Sequence, residues 1–232
     1  MIKTVTPKIL KPNQIGFGIL VEDDAGAITP DLNKTFLSEE FKPKTNEPLF
    51  INCILQKWGV KNRNGRIYPK EVLMKEVERY SDIVNNNSST GEGDHPDSSV
   101  ISLKNITHLI TKMWWGTGEN ENVLYGKLRL IVTKGYLNYG IVSVIGDQIL
   151  LYLENGIKIG ISSRGVGSLK EVRGENLVQD DFELVGFDLV SSPSTYGAYL
   201  FPDDGIMQQE QHNNVELKEN KIIKTLDKFL LK

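Results

Sequence analysis

Apolar residues fall along this chain in two periods, and the change from one to the other outlines the fold. Leu49-Phe50-Ile51-Asn52-Cys53-Ile54-Leu55 is a nearly continuous apolar run bounded by turn-formers, the pattern of a buried strand. Ile106 to Trp115 and Val123 to Val132 read as paired strands separated by a Gly/Asn/Glu turn, and Ile15 to Val21 as a shorter strand near the start. Between these, Val72, Leu73, Val77 and Tyr80 recur at helical spacing behind Pro69, which predicts a helix over about 69–82. Ile141, Val144, Ile145, Ile149 and Leu153 repeat in the same way, and Gly156 is placed to stop that helix. A second β block runs from Ile157 to about Leu200, with Gly165, Gly167, Gly174 and Gly186 as breakers or bulges.

The order β, α, β-β, α, β-rich lacks the regular βαβ alternation of a doubly wound sheet. It predicts an α+β, mainly β fold: a bent or closed antiparallel β-barrel surrounded by helices. Three regions follow. Residues 1–47, interrupted by Pro7, Pro12, Pro30 and Pro43, form an N-terminal segment of loose connections. Residues 48–202 form the main domain. Residues 203–232 hold a Gln/His/Asn-rich linker at 207–214 and an amphipathic helix marked by Val215, Ile222, Ile223, Leu226, Phe229 and Leu230. No internal repeat of 20–50 residues interrupts this plan.

Composition narrows the function classes. Of 232 residues, 39% are hydrophobic and 25% charged, enough for a sizeable core, and the net charge of -3 offers no overall pull toward nucleic acid. Cys53, the single cysteine, excludes an intramolecular disulfide and a cysteine-based zinc site and fits a reducing compartment. No apolar run approaches the ~20 residues that span a bilayer, and Met1-Ile2-Lys3-Thr4 does not open a signal sequence. The expectation is a soluble, non-secreted protein without nucleic-acid or membrane partners.

Candidate chemistry sits in three places. Among three histidines, His108 lies on an alternating strand, facing solvent or a polar neighbour, and His212 lies in the polar linker; His95, in Gly91-Glu92-Gly93-Asp94-His95-Pro96, has glycines and acids before it and a proline fixing the backbone after it. Ser162, in Gly160-Ile161-Ser162-Ser163-Arg164-Gly165, has the glycine-flanked setting of an exposed strand-end nucleophile, or of a bulge at a sheet corner. Asp188 interrupts an apolar strand, where it either meets a partner or points outward. Together they supply a nucleophile, a base and an acceptor to orient the base. A metal-dependent hydrolase using Asp94, His95, Asp97 and Asp188 is an alternative from the same residues. A cysteine mechanism is not favoured, since Cys53 lies inside an apolar strand.

Five strings carry a resemblance: Asn62-Arg63-Asn64-Gly65-Arg66-Ile67-Tyr68-Pro69, the Gly91-to-Pro96 string, Met113-Trp114-Trp115, Ile161-Ser162-Ser163-Arg164-Gly165-Val166-Gly167-Ser168-Leu169, and Asp188 to Pro193. In this order they resemble the prohead core proteases of large contractile-tailed bacteriophages, which are distantly similar to herpesvirus assemblin proteases. The resemblance covers roughly residues 48–202. It implies a serine endopeptidase acting through an acyl-enzyme without metal or organic cofactor, with Ser162 as nucleophile and His95 as base. The third member is Asp188, where assemblins place a second histidine, with Asp94 and Glu92 as competitors; Ser163, Arg164 and adjacent amides are the expected oxyanion support. Trp114 and Trp115 could line a substrate groove, but neighbours on a strand face opposite ways, so at least one of them is expected in the core. The implied substrates are prohead scaffold or core proteins and the major capsid protein, cut after glutamate in Leu/Ile-x-Glu sites inside the immature prohead in the host bacterial cytoplasm. Glu22, Glu39 and Glu219 end such triplets in the terminal regions, so the protein is expected to trim itself, with the full chain as a candidate inactive precursor and a homo-oligomer as a candidate state. The competing reading is a non-enzymatic capsid-assembly or scaffold module on the same fold.

Overall fold

The protein is described here by a computed structural model covering residues 7–11, 14–22 and 48–202. In chain order its elements begin with β1 (Gly16–Val21), β2 (Leu49–Lys57), β3 (Arg66–Ile67), α1 (Lys70–Asn85), β4 (Thr90–Glu92), β5 (Ile106–Trp115) and β6 (Val123–Leu130). They continue with α2 (Lys134–Tyr139), α3 (Ile145–Glu154), β7 (Gly160–Val172), β8 (Glu175–Val178), β9 (Glu183–Val190) and β10 (Leu200–Phe201). The linker at 207–214, the C-terminal helix, Glu39 and Glu219 lie outside the described residues.

Two five-stranded sheets carry the structure. One is antiparallel in the order β10-β2-β6-β5-β4, with its buried face supplied by residues such as Ile51, Cys53, Leu55, Ile110, Leu124 and Leu128. The other is built on β7. Strand β1 lies along one edge of it, while β9 and β8 share the other edge, β9 beside the first half and β8 beside the second. β3 joins β8 in parallel. Of the expected bent or closed antiparallel barrel, the closed form does not appear among the described residues: there are two sheets and one parallel pair of strands. Alternation along a strand reports which face is buried, not whether a sheet closes. Here β7 outruns either neighbour on its second edge, so the sheet branches. The two sheets meet at a corner where Gly93 bridges to Leu189 beside β4.

Helix α1 buries Leu73, Val77, Tyr80 and Val84 between β5 and β9, with the Tyr80 ring edge-on to Phe187 at 5.7 Å. α3 lays Ile149, Leu150 and Leu153 over β5. It begins at Ile145 and not near Ile141, because the Asp147 carboxylate accepts the N–H groups of Thr133, Ser143 and Val144 and fixes the chain just ahead of it. The same cluster starts α2, a helix the apolar pattern did not foretell: Thr133 Oγ1 accepts the Tyr136 N–H. β4 was likewise hidden in what reads as a polar loop.

Candidate active site

The β7–β9 ladder sets Ser162 opposite Asp188, and residues opposed in a ladder project from the same face. Asp188 is wholly buried and its carboxylate is saturated. Oδ2 meets His95 Nδ1 at 2.7 Å and Arg164 Nε at 2.8 Å; Oδ1 accepts the Glu92 N–H at 3.0 Å and Arg164 Nη2 at 3.2 Å. The loop bearing His95 is stapled to β9 by the Asp94 N–H, which donates to the Leu189 carbonyl at 2.8 Å while Asp94 adopts φ 61°. Aspartate tolerates that left-handed conformation better than most residues. His95 is thus tied through Nδ1 to the residue facing Ser162, and its Nε2 is buried without a hydrogen-bond partner among the described residues.

Burial alone would raise the Asp188 pKa, but the hydrogen bonds and charges of His95 and Arg164 outweigh it and hold the carboxyl below its ordinary range. Arg164 is fully buried and also bonds Glu92 Oε2 at 2.6 Å. Counted as formal charges, Asp188, Glu92 and Arg164 leave one negative charge beside His95. Of the competitors for the third position, Asp94 is exposed and Glu92 is committed to Arg164.

The side chains of Arg164 and Ser163, the expected oxyanion support, are engaged with other partners. The guanidinium is spent on Asp188, Glu92 and the Ser98 carbonyl, and Ser163 Oγ accepts from Gln56 Nε2 at 3.0 Å. The group that lies against Ser162 belongs to the chain's own N-terminal segment: the Ser162 hydroxyl donates to the carbonyl oxygen of Glu22. The same oxygen accepts the Ser194 N–H at 3.0 Å, and the Glu22 N–H donates to the Ser163 carbonyl at 3.2 Å. Ser194 reaches this point because Pro193 packs on Gly160, where any side chain would collide with the proline ring.

The Glu22 carboxylate is buried in a pocket that composition presented only as a turn. Asn62 Oδ1 accepts the N–H groups of Asn64 and Arg66, closing the loop at 62–66, and this aims the neighbouring side chains inward. Glu22 Oε1 receives Arg66 Nη1 at 2.8 Å and Tyr68 Oη at 2.6 Å, while Oε2 receives Asn62 Nδ2 at 2.6 Å, Ser194 Oγ at 2.8 Å and Asn64 Nδ2 at 3.1 Å. Desolvation works against the charge, yet the Arg66 guanidinium and the Tyr68 and Ser194 hydroxyls prevail and hold Glu22 below the usual carboxylate range. Tyr68 moves the other way: burial, then the adjacent carboxylate, push its phenol upward. None of Asn62, Asn64, Arg66, Tyr68 and Ser194 had been assigned a role from the sequence. The available signal was the density of hydrogen-bonding residues in the 62–68 string.

Of the two settings open to His108, solvent or a polar neighbour, the structure shows the second: the ring is buried and Thr107 Oγ1 lies 2.8 Å from Nδ1. Trp115 packs partly against the main core, Trp114 stacks on Tyr125 at 5.9 Å, and both line one cavity with Met74, Val77 and Met113. Among the described residues no three His, Cys, Asp or Glu side chains converge as a metal site, and Asp94 and Asp97 are exposed.

Comparison with known proteins gives a consistent result. A family model described as "Prohead core protein serine protease" matches residues 20–210. The "Prohead core protein protease" of Enterobacteria phage T4 is 34% identical over 159 residues, spanning 67% of this chain and 69% of that protein. A solved structure, the bacteriophage T4 capsid assembly protease gp21, superposes with a TM-score of 0.56 at 29% identity, covering 77% of this chain and 99% of its own. The matched span contains Glu22, the 62–68 loop, His95, Ser162 and Asp188.

Proposed function

The chain belongs to the prohead core protein serine protease family, and from that premise we propose that Ser162 is its nucleophile, His95 its base and Asp188 the acceptor that orients the base. The observation that carries this reading is the cross-strand pairing of Ser162 with Asp188, whose carboxylate holds His95 Nδ1 at 2.7 Å. The bond fixes the imidazole tautomer with its proton on Nδ1, leaving Nε2 to take the serine proton. Ser162 Oγ then attacks the scissile carbonyl carbon, and the charge developing on its oxygen meets the Ser194 N–H, the donor that reaches Glu22 O. His95 returns the proton to the departing amine, and water hydrolyses the acyl-serine by the same route.

The substrates are the scaffold and capsid proteins of a phage prohead, cut after glutamate in Leu/Ile-x-Glu sites, and the chain itself. The acidic preference is supported by the donors around Glu22, and the two-residue spacing by strand geometry. In an extended peptide docked on β7, residues two apart share a face, and Leu20 and Glu22 are both buried while Val21 between them is half exposed. The reading is tested by incubating the intact protein and Ser162→Ala with the cognate scaffold protein and mapping new termini. Cuts after glutamate by the intact protein alone are expected; identical termini in both samples overturn it and leave the non-enzymatic assembly module.

A further inference from the structure

We propose that the groove walled by Leu103, Ile106, Ile131, Val142 and Ile145 is a subsite for apolar side chains that follow the scissile bond, on the leaving side of the cut. Its place in the reaction rests on the hydrolytic reading; its capacity to bind a peptide does not.

The apolar repeat that predicts a helix from Ile141 is interrupted: α3 begins at Ile145, and Ile141, Val142 and Val144 stand exposed on the irregular approach to it. Val142 is 47% exposed, and Leu103, from another part of the groove wall, is 85% exposed. Singly such residues mean little, but these line one cavity of about 600 Å³. That size falls among ligand-binding clefts, which run from about 300 to 1,000 Å³, and a contiguous open apolar surface marks a contact site. The wall is pre-formed. The Asp147 carboxylate accepts the Ser143 and Val144 N–H groups from within α3, and the Thr133 N–H from the segment after β6. These bonds keep residues 142–144 out of the helix, so the groove does not close by adding a turn to α3.

The floor of the groove is joined to the loop that carries His95. Ile106 pairs with Glu92 across the β4–β5 ladder, and the Gly93 N–H donates to the Asn105 carbonyl at 3.2 Å. Any side chain at Gly93 would meet an Ile145 methyl group at 3.1 Å. Gly93 is two residues from His95, at most about 7 Å along an extended chain. The same loop reaches back to the catalytic cluster at Ser98, whose carbonyl accepts Arg164 Nη1 at 2.5 Å, before Leu103 forms part of the wall.

Proton transfer decides which side of the cut this is. His95 takes the serine proton and returns it to the departing amine, so that amine and the residues after it pass beside His95. The acyl side lies along β7 with Ser162, and the leaving side continues past the His95 loop, where the groove begins. An extended peptide advances about 3.3 Å per residue, so apolar residues within about four positions after the cut reach it. Binding there adds no chemical step. It holds the leaving segment so that the amine stays at the imidazole while it is protonated.

The test compares the intact protein with Leu103→Ser/Val142→Ser, since both side chains are exposed and lie outside the catalytic cluster. Three substrates share a Leu-x-Glu acyl side: one continues with alanine and three leucines, one with alanine and three serines, and one is a nitroanilide with no residue after the cut. The intact protein is expected to favour the leucine peptide over the serine peptide at least tenfold in kcat/KM. In the variant the two peptides should agree within threefold, with nitroanilide turnover within twofold of the intact protein's. Equal rates on the two peptides in the intact protein overturn the proposal, as does a variant that loses nitroanilide and leucine-peptide turnover alike. Sedimentation that shows an assembly of the intact protein absent from the variant assigns the groove to a second copy instead. Binding is read without hydrolysis in Ser162→Ala, by polarisation of a fluorescent peptide of alanine and three leucines. Affinity should fall at least tenfold when both groove substitutions are added; equal affinity, or none measurable in Ser162→Ala, overturns the peptide-binding claim. If binding behaves as expected but the Ser162-intact protein turns over none of the three substrates, the hydrolytic reading fails and the groove stands as a peptide site.

Discussion

Asp188 shows how much one carboxylate is asked to do. It orients His95, balances Arg164 and accepts the Glu92 amide, so Asp188→Asn removes an acceptor and a charge together. Turnover of a glutamate-containing peptide is expected to fall about 10³–10⁴-fold, because the imidazole loses its preferred tautomer and its imidazolium loses its counter-charge. Steady-state kinetics on folded variant checks this; a loss under tenfold assigns the orienting role to another acid. His108 makes a separate prediction. Desolvation pushes its pKa from 6.5 down to about 4, only partly opposed by Asp188 and the nearby Phe187 backbone, so the folded state keeps it neutral. The unfolded chain takes a proton at its ordinary pKa first, hence stability falls as pH drops from about 6.5 to about 4 and then levels for this group, by about 3 kcal/mol. Urea unfolding at pH 7 and pH 4.5 should show most of this loss in the native protein and much less in His108→Gln. At residue scale the partnering of His95 with Asp188 was legible for a plain reason: three histidines and one acid within an apolar strand leave few choices. The pocket was not, since Arg66 reads as a turn residue until a carboxylate from forty-four positions away neutralises it.

Among the elements, the smallest one controls the most. β4 has three residues, yet it pairs with β5, touches β9 and carries both the Glu92 amide that grips Asp188 and the lead-in to His95. Its centre, Gly91, is pressed between the Phe187 carbonyl and the His108 ring, where even a methyl group would collide with both. Gly91→Ala must separate β4 from β9, and the expected cost is about 1–3 kcal/mol with loss of activity out of proportion to it. Thermal melts paired with kinetics at a temperature where the variant remains folded would separate the two effects; activity preserved in a destabilised variant would mean that the His95 loop does not depend on β4. No periodicity argument finds a strand this short in a Gly/Ser/Asn-rich stretch. Long elements were visible because each repeats its pattern several times: β2, β5, β6 and α1 lie where the apolar spacing set them. α2, with one buried residue, has no repeat to read.

At the scale of the whole molecule, the branched sheet joins pieces that are remote in sequence, and that explains why a bent or closed barrel was expected while the described residues form two sheets that do not close: strand patterns specify faces, while partners are chosen by contacts spread over the chain. The same remoteness yields a prediction about the cleaved protein. Cutting after Glu22 removes one covalent link but none of the contacts that hold β1. Ile19 and Leu20 are almost wholly buried, worth about 1.5–3 kcal/mol each, and the Glu22–Arg66 pair remains with its full set of donors. The fragment ending at Glu22 should therefore stay attached to the remainder at neutral pH. It should co-elute in size exclusion, and denaturing mass spectrometry should show two species summing to the intact chain plus one water; Ser162→Ala should show the intact mass alone. Acid reverses the attachment in a defined direction. Because the folded pKa of Glu22 is depressed, its contribution is complete above the ordinary carboxylate range and is lost only as pH falls below that range and through the folded value. Elution at successively lower pH should therefore retain the fragment through pH 5 and release it only in stronger acid. A cleaved fragment that separates at pH 7 would mean that the contacts of β1 are too weak to hold it on β7.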